Sequence, residues 1–310
     1  MKKFVAFALA AVFMTLTAVA AFAQPEVVVH HKINPHSQSP NNIGESATTG
    51  GTGTLTPLNY AGGSLIGTPV IYIIWYGNWS QTNGSDTSAG QQIVRDFSNS
   101  IGGSPYFNLN TYLSAGGQTI TGNVISSGET TDAYSQGKRL RDSGVLAVVN
   151  NAINTGKLPY DANGVYFVLT SSDVAESSGF CTQYCGWHTS AARTEGRLRY
   201  SFVGNANRCL SSCAAQTVSP NGNAGVDGMI SVVAHELEEA TTDADPRSGW
   251  SDSSGAENAD KCAWTFGHNQ KQTATGAWYN MTLGSRNYLI QRNILKSGSD
   301  FLCMVDSTQN

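Results

Sequence analysis

In VVAHELEEATTDADPRSGWSDSSGAENADKCAW, residues 232–264, His235 is followed at once by Glu236 and, one helical turn later, by Glu239; Glu257 follows a turn-rich stretch. A helix advancing roughly 100° per residue gathers Val226, Ile230, Val233, Ala234 and Leu237 on one side and sets His235 and Glu239 opposite them, one turn apart. Two chemistries fit that pattern. Either the polar side is solvated, as on any amphipathic helix, or the helix floors a cleft and turns its polar side to a metal.

The second arrangement is that of zincin peptidases, where H-E-x-x-H supplies two zinc ligands and the intervening Glu is general base toward the attacking water. Here the second ligand would be Glu239, and Glu236 the base. A carboxylate in place of an imidazole lowers the positive charge of the site and weakens its acidifying effect on water, so the motif is a variant. Glu257, with Asp260 in support, stands where a third ligand from a second helix falls in thermolysin-like zincins. Asp243 and Asp245 are rivals, Asp245 at metzincin spacing from His235 but with Thr242 where that turn needs Gly, and His188 is a further candidate imidazole. Zinc is the expected cofactor. Calcium is the lesser alternative, because Asp243, Asp245, Asp252, Glu257 and Asp260 offer hard oxygens without the order of an EF-hand.

Such a helix needs a sheet to hold it. TPVIYIIWYG, residues 68–77, and GVYFVLT, residues 164–170, are apolar, β-branched runs bounded by turn residues and predict buried strands. RLRYSFVG and NYLIQRNIL predict two more. DTSAGQQIVRDFSNSIGG predicts a helix through Ile93, Phe97 and Ile101, capped by Asp86 or Thr87 and closed at Gly102, and SGVLAVVNNAINTG predicts a second. Strands interleaved with helices give an α/β or α+β fold: one globular domain with a central sheet flanked by helices, zincin-like if HELEE is a metal site.

The chain opens with Lys2 and Lys3, an apolar run from Phe4 to about Ala20, and Ala21-Phe22-Ala23, the form of a secretory signal peptide ending before Gln24. Removing those 23 of 310 residues leaves 287, loses two lysines and no acidic residue, and moves the net charge from -4 to -6. The scattered basic residues argue against nucleic acid, and no later run is long enough to span a bilayer. Residues 24–57, rich in Ser, Thr, Asn, Gly and Pro, read as a flexible lead-in to a domain over 58–310. Six cysteines in an oxidising compartment favour three disulfides. Proximity pairs Cys181 with Cys185, Cys209 with Cys213, and Cys262 with Cys303, out of fifteen pairings. Among the tryptophans, Trp75, Trp79 and Trp187 could form a carbohydrate platform; Trp75, inside a strand, suits a core better, and Trp79, beside Gly77 and Ser80, is the better surface candidate. Asn78-Trp79-Ser80, Asn83-Gly84-Ser85 and Asn280-Met281-Thr282 are sequons for a glycosylating host.

IYIIWYGNWS, VYFVLTSSDV, GFCTQYCGWH, YSFVGNANRC, SPNGNAGVDGM and ENADKC, in that order, resemble the EXORDIUM, or phosphate-induced protein, family of secreted proteins. The resemblance implies export, an extracellular or wall-associated life and paired cysteines, without an established reaction. It carries no expectation of HELEE in the plant members, so the chemistry of that segment rests on its own residues. The expected function is thus a secreted EXORDIUM-like protein with a zinc-dependent, peptidase-type hydrolase site acting on an extracellular peptide; the alternative is a non-catalytic extracellular or cell-wall protein binding a wall polymer.

Overall fold

The computed structural model describes residues 28–32 and 55–308. The expected signal peptide over 1–23 lies outside them, as does most of the lead-in.

Its centre is a six-stranded mixed sheet of β1 (Val28–Lys32), β2 (Val70–Tyr76), β3 (Ile125–Asp132), β4 (Gly164–Thr170), β5 (Tyr184–Ala192) and β6 (Arg197–Gly204), in the order β1-β5-β6-β4-β2-β3. Four neighbours, β6, β4, β2 and β3, run parallel, while β5 is antiparallel to β6 and β1 antiparallel to β5. Every residue of β2 and β4 is buried, as their unbroken apolar runs require of central parallel strands covered on both faces. The helices are α1 (Ser88–Ser98), α2 (Asp142–Asn154) and α3 (Ala224–Thr242). Helix α1 buries Ile93, Val94 and Phe97 and takes its cap from Thr87, whose side chain accepts from the Gly90 amide at 3.0 Å. It ends at Ser98, before Gly102, with the chain continuing in turns. The α/β single-domain expectation therefore holds. Among the described residues, no helix is long and apolar enough to cross a membrane.

Three departures from the sequence reading have clear causes. Residues 28–32 add a strand to the sheet where a flexible lead-in is expected, so the lead-in contains an ordered element built on the β-branched Val28 and Val29. NYLIQRNIL is two short strands, Arg286–Tyr288 and β7 (Asn293–Ser297), with a gap between them. In the gap the backbone donors leave the ladder: Ile290 N–H goes to Asn280 Oδ1, Gln291 N–H to Ser231 Oγ and Arg292 N–H to Thr265 O. The third concerns the disulfides. Cys181 joins Cys209 and Cys185 joins Cys213, with Cα atoms 5.7 and 5.4 Å apart, in place of the two short-loop bridges. Extended chain from Tyr184 carries Cys185 away from Cys181, whereas Cys209 and Cys213 flank one helical turn, Leu210–Cys213, that lies along β5. Each cysteine therefore meets its counterpart across the two segments. Cys262 joins Cys303, on β8 (Asp300–Met304), as proximity suggests.

The tryptophan platform is also absent. Trp75, Trp79 and Trp187 are all buried, and the Trp79 indole donates to Leu169 O.

Candidate metal centre

Helix α3 is held at both ends. Asn223 caps its start, accepting from Val226 N–H at 3.1 Å and donating to Ser85 O at 3.0 Å. At its end the Asp243 carboxylate accepts from the amides of Arg247, Ser248 and Gly249, which closes the following turn. Thr242 bonds Asn258, so the end of α3 is tied to the segment carrying Glu257.

The helix is buried all round, not amphipathic against solvent. His235 is 1 % exposed, and Glu236, Glu238 and Glu239 are 0 % exposed, so the solvated-face reading fails. Burial of charge on this scale is tolerated only with compensation by hydrogen bonds, ions or protonation. Glu238 shows one solution: it turns into an amide pocket, accepting from Asn110 and, at 2.7 Å, from Asn293. Burial pushes its carboxyl well above the usual range.

The remaining charged groups converge from three elements. His235 Nε2 lies 2.9 Å from Glu239 Oε1 and 3.6 Å from Asp260 Oδ1. From β5, His188 Nδ1 lies 3.3 Å from Glu236 Oε2 and 3.5 Å from Glu239 Oε2, while its Nε2 lies 3.5 Å from Glu257 Oε2. Glu239 is the shared member of both groups. Asp260 sits on the single turn Asp260–Cys262, where the Cys262–Cys303 bridge fixes it, and its amide donates to Glu239 Oε1 at 3.1 Å.

Why β5 comes so close to α3 is legible at Gly186. A Cβ there would meet Val232 Cγ1 at 2.6 Å, Phe202 O at 2.9 Å and Glu236 Oε1 at 3.1 Å. Only glycine lets the strand lie on the helix at that point. His188 is two residues on, hence on the same face of the strand. The bridges from Cys181 and Cys185 hold the start of β5 to the segment leading into α3.

The structure thus sorts the sequence candidates. His235 and Glu239 come together, joined by Asp260. Glu257 reaches the group through His188 and not through His235. Asp243 is engaged by three amides, and Asp245 pairs with Arg197 and Arg199 at 3.2 and 3.1 Å, so neither is offered to an ion. Asp252 pairs with Lys261 and accepts from the Ser254 amide and hydroxyl. His188 moves from an outside candidate to the centre. The signal for it was GFCTQYCGWH: a glycine two residues before a histidine in an otherwise buried strand.

The donor set fits a cation. Both Glu257 oxygens, Glu236 Oε1, Glu239 Oε2 and His188 Nε2 are buried without a hydrogen bond. Among the described residues, no lysine or arginine pairs with Glu236, Glu239 or Glu257. Donors spaced 2.9–3.6 Å apart match the edges, about 3.4 Å long, of a tetrahedron with zinc–nitrogen and zinc–oxygen bonds. Protons compensate part of the same buried charge. Burial acts to lower both imidazoles, but the carboxylates outweigh it, raising His188 to about 10 and His235 well above its ordinary value. Burial, reinforced by Glu239, pushes Glu236 up to about 7, and burial with Glu239 and Asp243 pushes Glu257 well up.

The conserved region of phosphate-induced protein 1 matches residues 58–294, a span that contains His188, the whole of α3, Glu257 and Asp260. The chain is 32 % identical over 245 residues to EXORDIUM-like 5 of Arabidopsis thaliana, covering 69 % of this chain and 64 % of that protein, less than two thirds of its length. Against EXORDIUM-like 3 of the same plant it is 32 % identical over 281 residues, 78 % of this chain and 81 % of the relative. PHOSPHATE-INDUCED 1 of Nicotiana tabacum is 25 % identical over 213 residues, 59 % and 63 % of the two chains. No solved structure matches.

Proposed function

The chain belongs to the phosphate-induced protein 1 family, and from that premise we propose that it is a secreted member in which His235, Glu239 and Asp260 hold zinc for hydrolysis of a peptide bond. The observation that carries the reading is the convergence of these three donors, 2.9 and 3.6 Å from one imidazole nitrogen, beside buried carboxylate oxygens with which, among the described residues, no lysine or arginine pairs. Export is supported by the A-x-A-terminated leader and by six cysteines paired as three disulfides.

A bound zinc would supply Lewis acidity, polarising the carbonyl and making water acidic. The chain's own groups do the rest. Glu236 is the general base: it takes a proton from the attacking water as the oxygen bonds to the carbonyl carbon, then returns it to the amine as the C–N bond breaks. Burial raises the Glu236 carboxyl, the direction a general base working near neutrality needs. His188 orients it, with Nδ1 toward Glu236 and Nε2 toward Glu257. This replaces Glu257 as a ligand with Glu257 as the group that positions His188.

A second reading has its own support. Only Asp260 among the ligands reaches the surface, its side chain 18 % exposed, and closed four-coordinate sites are the structural kind. On that reading the ion cements a non-catalytic extracellular protein. Elemental analysis of exported, unchelated protein together with a fluorogenic peptide assay separates the cases. Zinc with hydrolysis that Glu236→Gln abolishes supports the enzyme; zinc without hydrolysis leaves the structural ion; absence of metal removes both.

A further inference from the structure

We infer that the outer edge of β5 is a docking edge for an extended polypeptide segment, and that β1 occupies it in cis and closes the metal centre. The segment class is set by backbone chemistry: a chain that presents free amides in an antiparallel run. The docking stands on the geometry below, and only the fate of the docked segment rests on the hydrolytic reading.

β1 pairs antiparallel along β5 with Val28 opposite Thr189, Val29 opposite His188, His30 opposite Trp187 and His31 opposite Gly186, and the register slips before Lys32 meets Tyr184. Thus the stretch of β5 that β1 covers is the stretch that touches α3 and carries His188. β1 also lies beside α3 itself, and the Trp264 indole donates to Lys32 O at 2.9 Å, fastening the end of the strand to the segment that follows Asp260 and Cys262. Without β1, the unpaired amides and carbonyls along one side of β5 would be a template for another strand.

The occupant and the edge have different standing. β5 lies within residues 58–294, the span that matches the family, and β1 lies outside it. An edge of this kind takes its affinity from main-chain hydrogen bonds, which any extended segment offers. A segment in β1's register passes His188 directly, and so runs alongside the group formed by His188, Glu236 and Glu239. β1 therefore holds, along β5 and beside His188, the place that a peptide would take for the proposed chemistry.

The test uses the full mature chain with Val28→Pro and Val29→Pro together. Amides along an antiparallel strand point alternately to and away from the partner, so one of the two prolines removes a ladder donor. The probe is a fluorescein-labelled peptide of residues 26–34, with a copy N-methylated at every second amide as control. A tethered β1 competes at an effective concentration on the order of millimolar, so detaching it should raise probe affinity at least about tenfold over the unmodified protein, and the methylated copy should not bind. Where zinc is retained and the hydrolytic reading holds, cleavage of an unstructured protein such as casein should rise similarly and be inhibited by the 26–34 peptide. Binding without cleavage in zinc-loaded protein supports the docking edge and sinks the hydrolase. No binding in a variant that unfolds cooperatively overturns the docking edge. Hydrogen exchange on the unmodified protein gives an answer even if the variant misfolds: β1 amides should exchange at least about tenfold faster than those of β6, and equal protection would make β1 a permanent strand and overturn the proposal.

Discussion

His188 and His235 reach Glu239 from opposite sides, His188 Nδ1 3.5 Å from Oε2 and His235 Nε2 2.9 Å from Oε1. One carboxylate therefore joins a strand histidine to a helix histidine, and the two acidic groups around them share it. Glu239→Gln should remove bound zinc more completely than Asp260→Asn, because it withdraws the charge that both imidazoles face. Measured by elemental analysis after dialysis, a Glu239→Gln protein that still held stoichiometric zinc would place the ion elsewhere.

Gly186→Ala tests the approach of β5 to α3 without touching a ligand. The added methyl must displace Val232, a main-chain carbonyl or Glu236, so the variant should lose about 1 to 3 kcal/mol of stability, the range for overpacking a tight core. Urea unfolding measures it. Stability equal to the unmodified protein would mean that the strand moves off the helix freely, and the positioning of His188 would then need another cause.

The disulfide pattern predicts two crossed bridges. Non-reducing peptide mapping should recover Cys181 with Cys209 and Cys185 with Cys213, each separated by 28 residues, and Cys262 with Cys303. Replacing Cys185 and Cys213 together by Ser should cost about 3 to 4 kcal/mol on the chain-entropy estimate for a loop of that length. Recovery of a peptide holding Cys181 bridged to Cys185 would contradict the structure.

A pH-dependent contribution is expected at Asp173. Burial acts to raise its carboxyl, but hydrogen bonds from Lys138, Ser171 and Tyr134 outweigh it and hold it at about 2. A carboxyl lowered on folding stabilises above its unfolded value, near 4, and that contribution is lost as the pH falls through the folded value. The stability gap between the unmodified protein and Asp173→Asn should be full at pH 6 and shrink from about pH 4 toward 2. A gap that is constant over that range would mean that the carboxylate's charge has no part in it. The Lys138 partner is 65 % exposed, so the gap should also narrow with added salt.

What the sequence disclosed follows from how local each signal is. β2 and β4 are legible because strands buried on both faces are apolar throughout. β3, whose residues are mostly exposed or half-buried, reads ISSGETTD and carries no such signal. Its place comes from pairing with β2, a nonlocal contact. At the centre, His235 and Glu239 are legible because helical periodicity relates them. His188 and Asp260 can be named as candidates but not placed, since their distance from α3 depends on a glycine that admits the helix, on two crossed disulfides and on a turn fixed by a third. Between Glu257 and Asp260 spacing along the chain cannot decide which imidazole each meets: Glu257 lies 3.5 Å from His188 and Asp260 3.6 Å from His235.

Glu236→Gln is the sharpest test of the reaction. The side chain keeps its size and can still bond His188, so the fold and the zinc should both be retained; the amide cannot accept the water proton, so hydrolysis of a fluorogenic peptide should fall by about 100-fold or more, the scale of general-base assistance. His188→Ala should differ in kind. Removing an imidazole buried between Glu236 and Glu257 leaves two carboxylates facing a cavity, so it should lower stability as well as activity. His188→Gln, which restores a hydrogen-bonding group, should recover more stability than activity, because an amide fills the space without tuning the base. If Glu236→Gln leaves hydrolysis intact while His235→Ala abolishes it together with the zinc, the base is another group, and Glu236 belongs to the packing of β5 on α3.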